Sequence, residues 1–136
     1  MNYVKIGYKV WDVLVTEISE SFSILYSENT GRTMSDGAKM VLDPLGTFYN
    51  HKVTFCRKQG FEEEFDELWN YVSEPRGYGT EVEIVHNQTT LKYTAYFSEG
   101  ERSLKRIDPK TNKIYWDKFS LNIVAMEAQR LPIYEK

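Results

Sequence analysis

The chain offers few residues that could do chemistry. His51 and His86 are its only histidines and Cys56 is its single cysteine. Neither histidine has a cysteine pair or a second histidine at the short spacing by which a helix or turn presents metal ligands, so both read as polar strand positions and no metal is expected. A nucleophilic Cys56 would need a histidine base and an orienting group. Its immediate neighbours are Phe55 and Arg57 at the end of a strand, and it reads as a small core residue. A lone cysteine also excludes an intrachain disulfide. Glu62, Glu63, Glu64, Asp66 and Glu67 point in different directions around a helix, so they read as a solvated face rather than a paired-carboxylate site. The glycines at 31, 37, 46, 77, 79 and 100 never assemble into a phosphate-cradling loop, and Gly77-Tyr78-Gly79 follows a helix where such a loop would precede one. Arg102, Lys105 and Arg106, near Tyr96 and Phe97, read as charges that protect a strand edge rather than as a nucleic-acid site. No catalytic, metal-binding or cofactor-binding residue is expected, and the chain does not read as an enzyme.

What the sequence builds instead is a framework, and its clearest element is a helix over about residues 61–73. Phe61, Phe65, Leu68, Trp69 and Val72 follow helical spacing and make one apolar stripe, while the acids and Asn70 take the other face. Acids in the first turn also suit the positive end of the helix dipole. Gly60 precedes the pattern and Pro75 ends it. Phe61, Phe65, Leu68 and Trp69 are therefore expected to form the core, against a sheet that the rest of the chain must supply.

Strand patterns fill that remainder. Residues 3–15 alternate as two short strands with a turn near Gly7, and 18–26 continue, with Phe22, Ile24 and Tyr26 on one face. Residues 27–39 carry polar turn formers and read as a long loop or an extended hairpin. A strand over 47–57 leads into the helix. Residues 81–86 and 89–97 look like a hairpin around Asn87-Gln88. A polar break at 98–102 precedes an edge-like strand over 102–107, and a turn at Asp108–Lys113 opens a long last strand from Ile114, before a short tail after Arg130. The expectation is an α+β, mainly β fold, with an antiparallel β-sandwich or barrel flanked by one helix.

At 136 residues, one domain over 1–136 is expected. Ten Tyr, seven Phe and three Trp favour strands and interfaces. A net charge of -3 is too mild to mark a polyanion-binding surface, so no specific nucleic acid is expected. The N-terminus lacks a basic region followed by an apolar run, and no stretch approaches the roughly 18 apolar residues of a membrane span. Neither export by a signal peptide nor membrane insertion is expected.

In its order of elements the chain resembles small tail proteins of phages and prophages of Gram-positive bacteria. The residues that carry the likeness are the opening Val4-Lys5-Ile6-Gly7, the polar stretch from Glu28 to Gly37, the strand His51-Lys52-Val53-Thr54-Phe55, the helix, and the closing run from Trp116 to Ala125. The loop lengths and the tail after Arg130 depart from the family. The resemblance implies a fold like that of tail-tube and distal-tail proteins, with subunits closing into a homo-oligomeric, hexameric ring in the virion tail. It also implies other tail proteins as partners. In such rings a long loop between early strands reaches a neighbouring subunit, which here points to Arg32, Thr33 and Met34 as interface residues. The competing expectation is a cytoplasmic β-barrel that binds a ligand or a protein.

Overall fold

A computed structural model of the chain describes residues 4–33 and 37–134. Its strands are β1 (Val4–Ile6), β2 (Leu14–Tyr26), β3 (Gly31–Arg32), β4 (Met40–Val41), β5 (Pro44–Cys56), β6 (Thr80–His86), β7 (Thr89–Ile107) and β8 (Ile114–Ala125), and helix α1 (Glu62–Val72) lies between β5 and β6. Six strands form one sheet in the order β1-β6-β7-β8-β5-β2, and β3 pairs with β4 in a separate ribbon. Every pairing is antiparallel. This is the mainly β, α+β architecture expected, with one helix on an antiparallel sheet.

The turns follow their residues. Asn87 takes a left-handed conformation at φ 53° in the tight β6–β7 connection, a conformation asparagine adopts more readily than most side chains. Between β7 and β8 the Asp108 carboxylate accepts from the Lys110 N–H, and Asn112 is again left-handed. Gly7, at φ 68°, lets the chain leave β1 directly beneath the Tyr71 ring, where any Cβ would collide with that ring.

Register gives the central strands β7, β8, β5 and β2 two unlike faces. One carries the rows Val15–Phe55–Phe119–Arg102, Ile18–Val53–Leu121–Gly100 and Glu20–His51–Ile123–Phe97; the other carries Glu17–Thr54–Ser120–Glu101 and Ser19–Lys52–Asn122–Glu99. Helix α1 lies on the first face. Phe65 and Leu68 are fully buried, and the rings of Phe65 and Trp69 meet Phe119 edge-on at 5.2 and 5.4 Å between centroids. Phe55 packs on the same Phe119 at 5.0 Å. The core continues through Val82, Ile84, Val4 and Ile6 on β6 and β1.

Three expectations change. Phe61 is not core: it is the N-cap, with φ of -125°, so its side chain leaves the helical stripe and lies 42% exposed beneath the Lys58 ammonium. Trp69 is only partly buried, its outer face covered by the Arg102 guanidinium. The break expected at 98–102 does not occur; β7 runs through it, and a register shift between Phe97 and Glu99 absorbs the irregularity while Gly100 sits under Trp69.

Candidate assembly surface

Among the described residues, two strand edges of the four-stranded part of the sheet stay open. Strand β2 pairs with β5 on one side only, and over its 13 residues all but Ile18 are exposed. At the opposite margin β7 pairs with β6 only as far as Ala95, so from Tyr96 to Ile107 it has β8 on one side and no strand among the described residues on the other. Such edges present rows of unpaired backbone donors and acceptors. Their directions match. With β7, β8, β5 and β2 alternating, the β2 of one copy laid beside the β7 of another continues the antiparallel order and keeps the polar faces together.

The far end of the β2–β5 hairpin is apolar and uncovered. Phe22 is 66% exposed, and Ile24, Leu25, Tyr26, Met40, Val41, Leu42 and Leu45 are exposed around it. The segment after β8 runs back along β5, anchored by the Thr47 N–H donating to the Arg130 carbonyl at 3.0 Å and by Gln129 bonding both ways with the Tyr49 backbone at 3.0 Å. Beyond it Leu131, Ile133 and Tyr134 flank an open groove of about 420 Å³ floored by Ile24, Tyr26 and Leu42. Isolated exposed apolar residues are ordinary on protein surfaces, whereas a contiguous set rimmed by polar ones marks a contact surface.

The interface residues expected from sequence fall on the ribbon at this end. Arg32 lies in β3, its guanidinium donating to the Ala38 carbonyl at 3.3 Å, and the Thr33 N–H donates to the Lys39 carbonyl at 2.9 Å. Met34 lies outside the described residues. The base of the stretch is not a free loop: Ser27 and Thr30 both bond to Asp43, closing an extended hairpin.

The structure gathers one polar cluster that the sequence hid. His51, with a fully buried side chain, places Nε2 at 2.8 Å from Glu20 Oε2, and His86 places Nδ1 at 2.7 Å from the same oxygen. His51 Nδ1 meets the Tyr93 hydroxyl at 2.7 Å, and the Tyr49 ring packs on His86 at 4.8 Å. Burial holds the His51 imidazole below its usual range although Glu20 pulls the other way. Burial opposes ionisation of Glu20, yet the hydrogen bonds from His86 and His51 outweigh it and its carboxyl lies below the usual range. Burial also raises the Tyr93 hydroxyl, with the Glu20 charge adding to it. These residues come from β2, β5, β6 and β7, so no local spacing could reveal them. Among the described residues no group of side chains is arranged to hold a metal ion.

The remaining candidates part company. Cys56 is half-buried on the polar side of β5, its Sγ 3.8 Å from the Thr16 hydroxyl, rather than in the core. The helix acids are not simply solvated: Glu64 pairs with Lys9 at 2.6 Å, Asp66 with Arg102 at 3.1 Å and Glu62 with Arg57 at 3.6 Å. Arg102 is stacked between Trp69 and Trp116, and Arg106 lies over Tyr115, so these cations brace aromatic rings. Among the described residues no helix is long and apolar enough to cross a membrane. Scanned against models of known protein families the chain matches none, and no curated protein is significantly similar to it.

Proposed function

We propose that this chain is a structural component of a bacteriophage tail, or of a prophage-derived tail-like particle, whose copies close into a ring. The observation that carries the reading is the pair of open edges, β2 on one margin and the outer half of β7 on the other, with directions that allow head-to-tail addition. Two different surfaces meeting in this way make a heterologous contact, and a heterologous contact closes into a ring when the rotation between copies permits.

The faces of the sheet supply a second support. Edge addition extends the row of Glu17, Ser19, Lys52, Thr54, Ser120 and Glu101 around one side of the ring, a surface of small polar groups and mixed charge. With acids interspersed, such a wall does not trap a passing polyanion. The helix and core stay on the other side. The space between sheet and helix is occupied by Phe55, Phe65 and Phe119, which favours a structural role over a ligand-binding barrel.

The test is assembly. Sedimentation velocity and negative-stain imaging of the purified chain over a wide concentration range should show closed rings. Phe22→Lys with Ile24→Lys, both at exposed positions on β2, should abolish them while leaving monomer melting within about 0.5 kcal/mol, as surface substitutions usually do. Rings of the double variant equal to those of the parent, or a monomer at every concentration, would defeat the edge-addition reading. Mass spectrometry of tail particles purified from the source strain should find the chain in multiple copies; tails that lack it would remove the assignment to a tail.

A further inference from the structure

The Glu20 cluster joins strands that the backbone does not. In the sheet order β1-β6-β7-β8-β5-β2, strands β7, β8 and β5 stand between β6 and β2, and among the described residues no backbone pairing links the latter two. Yet Glu20 on β2 reaches both His51 on β5 and His86 at the end of β6 through one carboxylate oxygen. The sheet must curl for that contact to form, and the contact holds the curl at this end.

The hydrogen bonds also assign the protons. An ionised carboxylate can only accept, so the facing nitrogens, Nε2 of His51 and Nδ1 of His86, carry hydrogens. In a neutral His51 the other nitrogen is bare and accepts from the Tyr93 hydroxyl. Both nitrogens of a neutral His51 and the shared Glu20 oxygen then have partners, with one negative charge on the carboxylate. A further proton on His51 turns Nδ1 into a donor aimed at a hydroxyl that was itself donating, in a side chain with no solvent exposure. A proton on Glu20 removes the charge that both rings address.

We propose that Glu20, His51 and His86 form an acid-released latch that fixes the curl of β2 toward β6 at neutral pH and lets it open in acid. The groups facing the cluster are Glu20 from β2, Tyr49 from β5, His86 from β6 and Tyr93 from β7, and the β8 residue paired with His51 is the apolar Ile123. The sign follows from linkage. His51 in the closed latch lies below its usual 6.5, so the opened form binds more protons and opening is favoured as pH falls below that value. Glu20, below its usual 4.5, adds the same sign in stronger acid. Because β2 is the strand assigned above to assembly, the latch would set the curvature that a neighbour meets; this consequence rests on that reading, whereas the latch itself does not.

The experiment uses dilute, unassembled chain so that the two ideas fail separately. Amide exchange over Ser19–Phe22 is measured from about pH 7 to about pH 4.5 and divided by exchange in the β7–β8 ladder around Glu101–Ser103, which removes the intrinsic pH dependence. In the parent protein this ratio should rise steadily as pH falls through the histidine range, in the direction that the lowered His51 pKa requires. Glu20→Gln should show the raised ratio already at neutral pH with little further change. His86→Gln, at a ring with 18% side-chain exposure, should keep the fold and lose part of the response even if Glu20→Gln does not fold. A ratio that stays flat in the parent, or variants that keep its full response, would overturn the latch. Rings that form normally from a chain with a flat ratio would leave assembly standing alone, and a responsive monomer that never assembles would leave the latch standing alone.

Discussion

Replacing Phe119 by Ala tests how the helix is held. Phe119 is fully buried and is the one ring that touches Phe55, Phe65 and Trp69 together. An aromatic side chain of this kind removes about 150–250 Å² from water, worth roughly 4–6 kcal/mol at about 25 cal/mol per Å² as an upper bound. Measured losses for buried Phe→Ala run about 3–5 kcal/mol. A cost of about 4 kcal/mol is expected, a large share of the roughly 5–15 kcal/mol that holds an ordinary domain together. Trp69→Ala should cost about half as much, because Trp69 is only partly buried, and Phe61→Ala less than about 1 kcal/mol, because Phe61 stands outside the stripe. Urea unfolding of the monomer followed by tryptophan fluorescence, with far-UV dichroism for the Trp69 variant, gives all three values. Comparable slopes would show that the variants unfold from the same folded state. A Phe61 variant as damaging as the Phe119 variant, or a Trp69 variant costlier than both, would refute this account of the packing.

Gly7→Ala should cost more than about 2 kcal/mol, since it combines a left-handed backbone with a collision against the Tyr71 ring. Adding Tyr71→Phe should recover part of that loss, because the nearest atom met is the Tyr71 hydroxyl, and a double-mutant cycle on thermal unfolding reads the coupling. Arg102→Ala should cost about 1–2 kcal/mol by removing a cation held between two indoles, and Arg102→Lys should recover only part of it, as denaturant midpoints would report. Arg32→Ala with Met34→Ala should weaken ring formation in sedimentation while leaving monomer melting nearly unchanged; normal assembly of that pair would move the ribbon out of the interface.

The helix was legible because its stripe is local: Phe65, Leu68 and Val72 recur at helical spacing, and all three are buried. Phe61 fits the same spacing and misleads, because spacing does not show where the backbone first turns helical. Gly100, flanked by acids, reads as a breaker, but its partner is Leu121 across the ladder and its cover is Trp69 from the helix, both distant in sequence. The Glu20 cluster lay furthest from view. Each member is an unremarkable polar residue on its own strand, and only the curl of the sheet, a property of all the strands together, brings them within hydrogen-bond reach.

Strand β2 shows where hydrophobic alternation stops being a guide to burial within one chain. Phe22 and Ile24 share the face of Ile18 and Glu20, the side on which β5 and β8 carry the core, so their pattern is that of a strand with one covered face. Helix α1 does not reach them: its buried contacts end on Phe119 and its neighbours, and Phe22 and Ile24 stay exposed. A strand that kept this pattern only for its own chain would leave apolar area in water without return, and open edges of that length are usually blunted by charge or proline. Here the first residues of β2 do carry Glu17 and Glu20, and Glu20 is turned inward onto two histidines; the outer half, from Phe22 to Tyr26, carries no charge at all. The guarded half of the edge is the half the latch holds, and the unguarded half is the one on which the proposed neighbour would close.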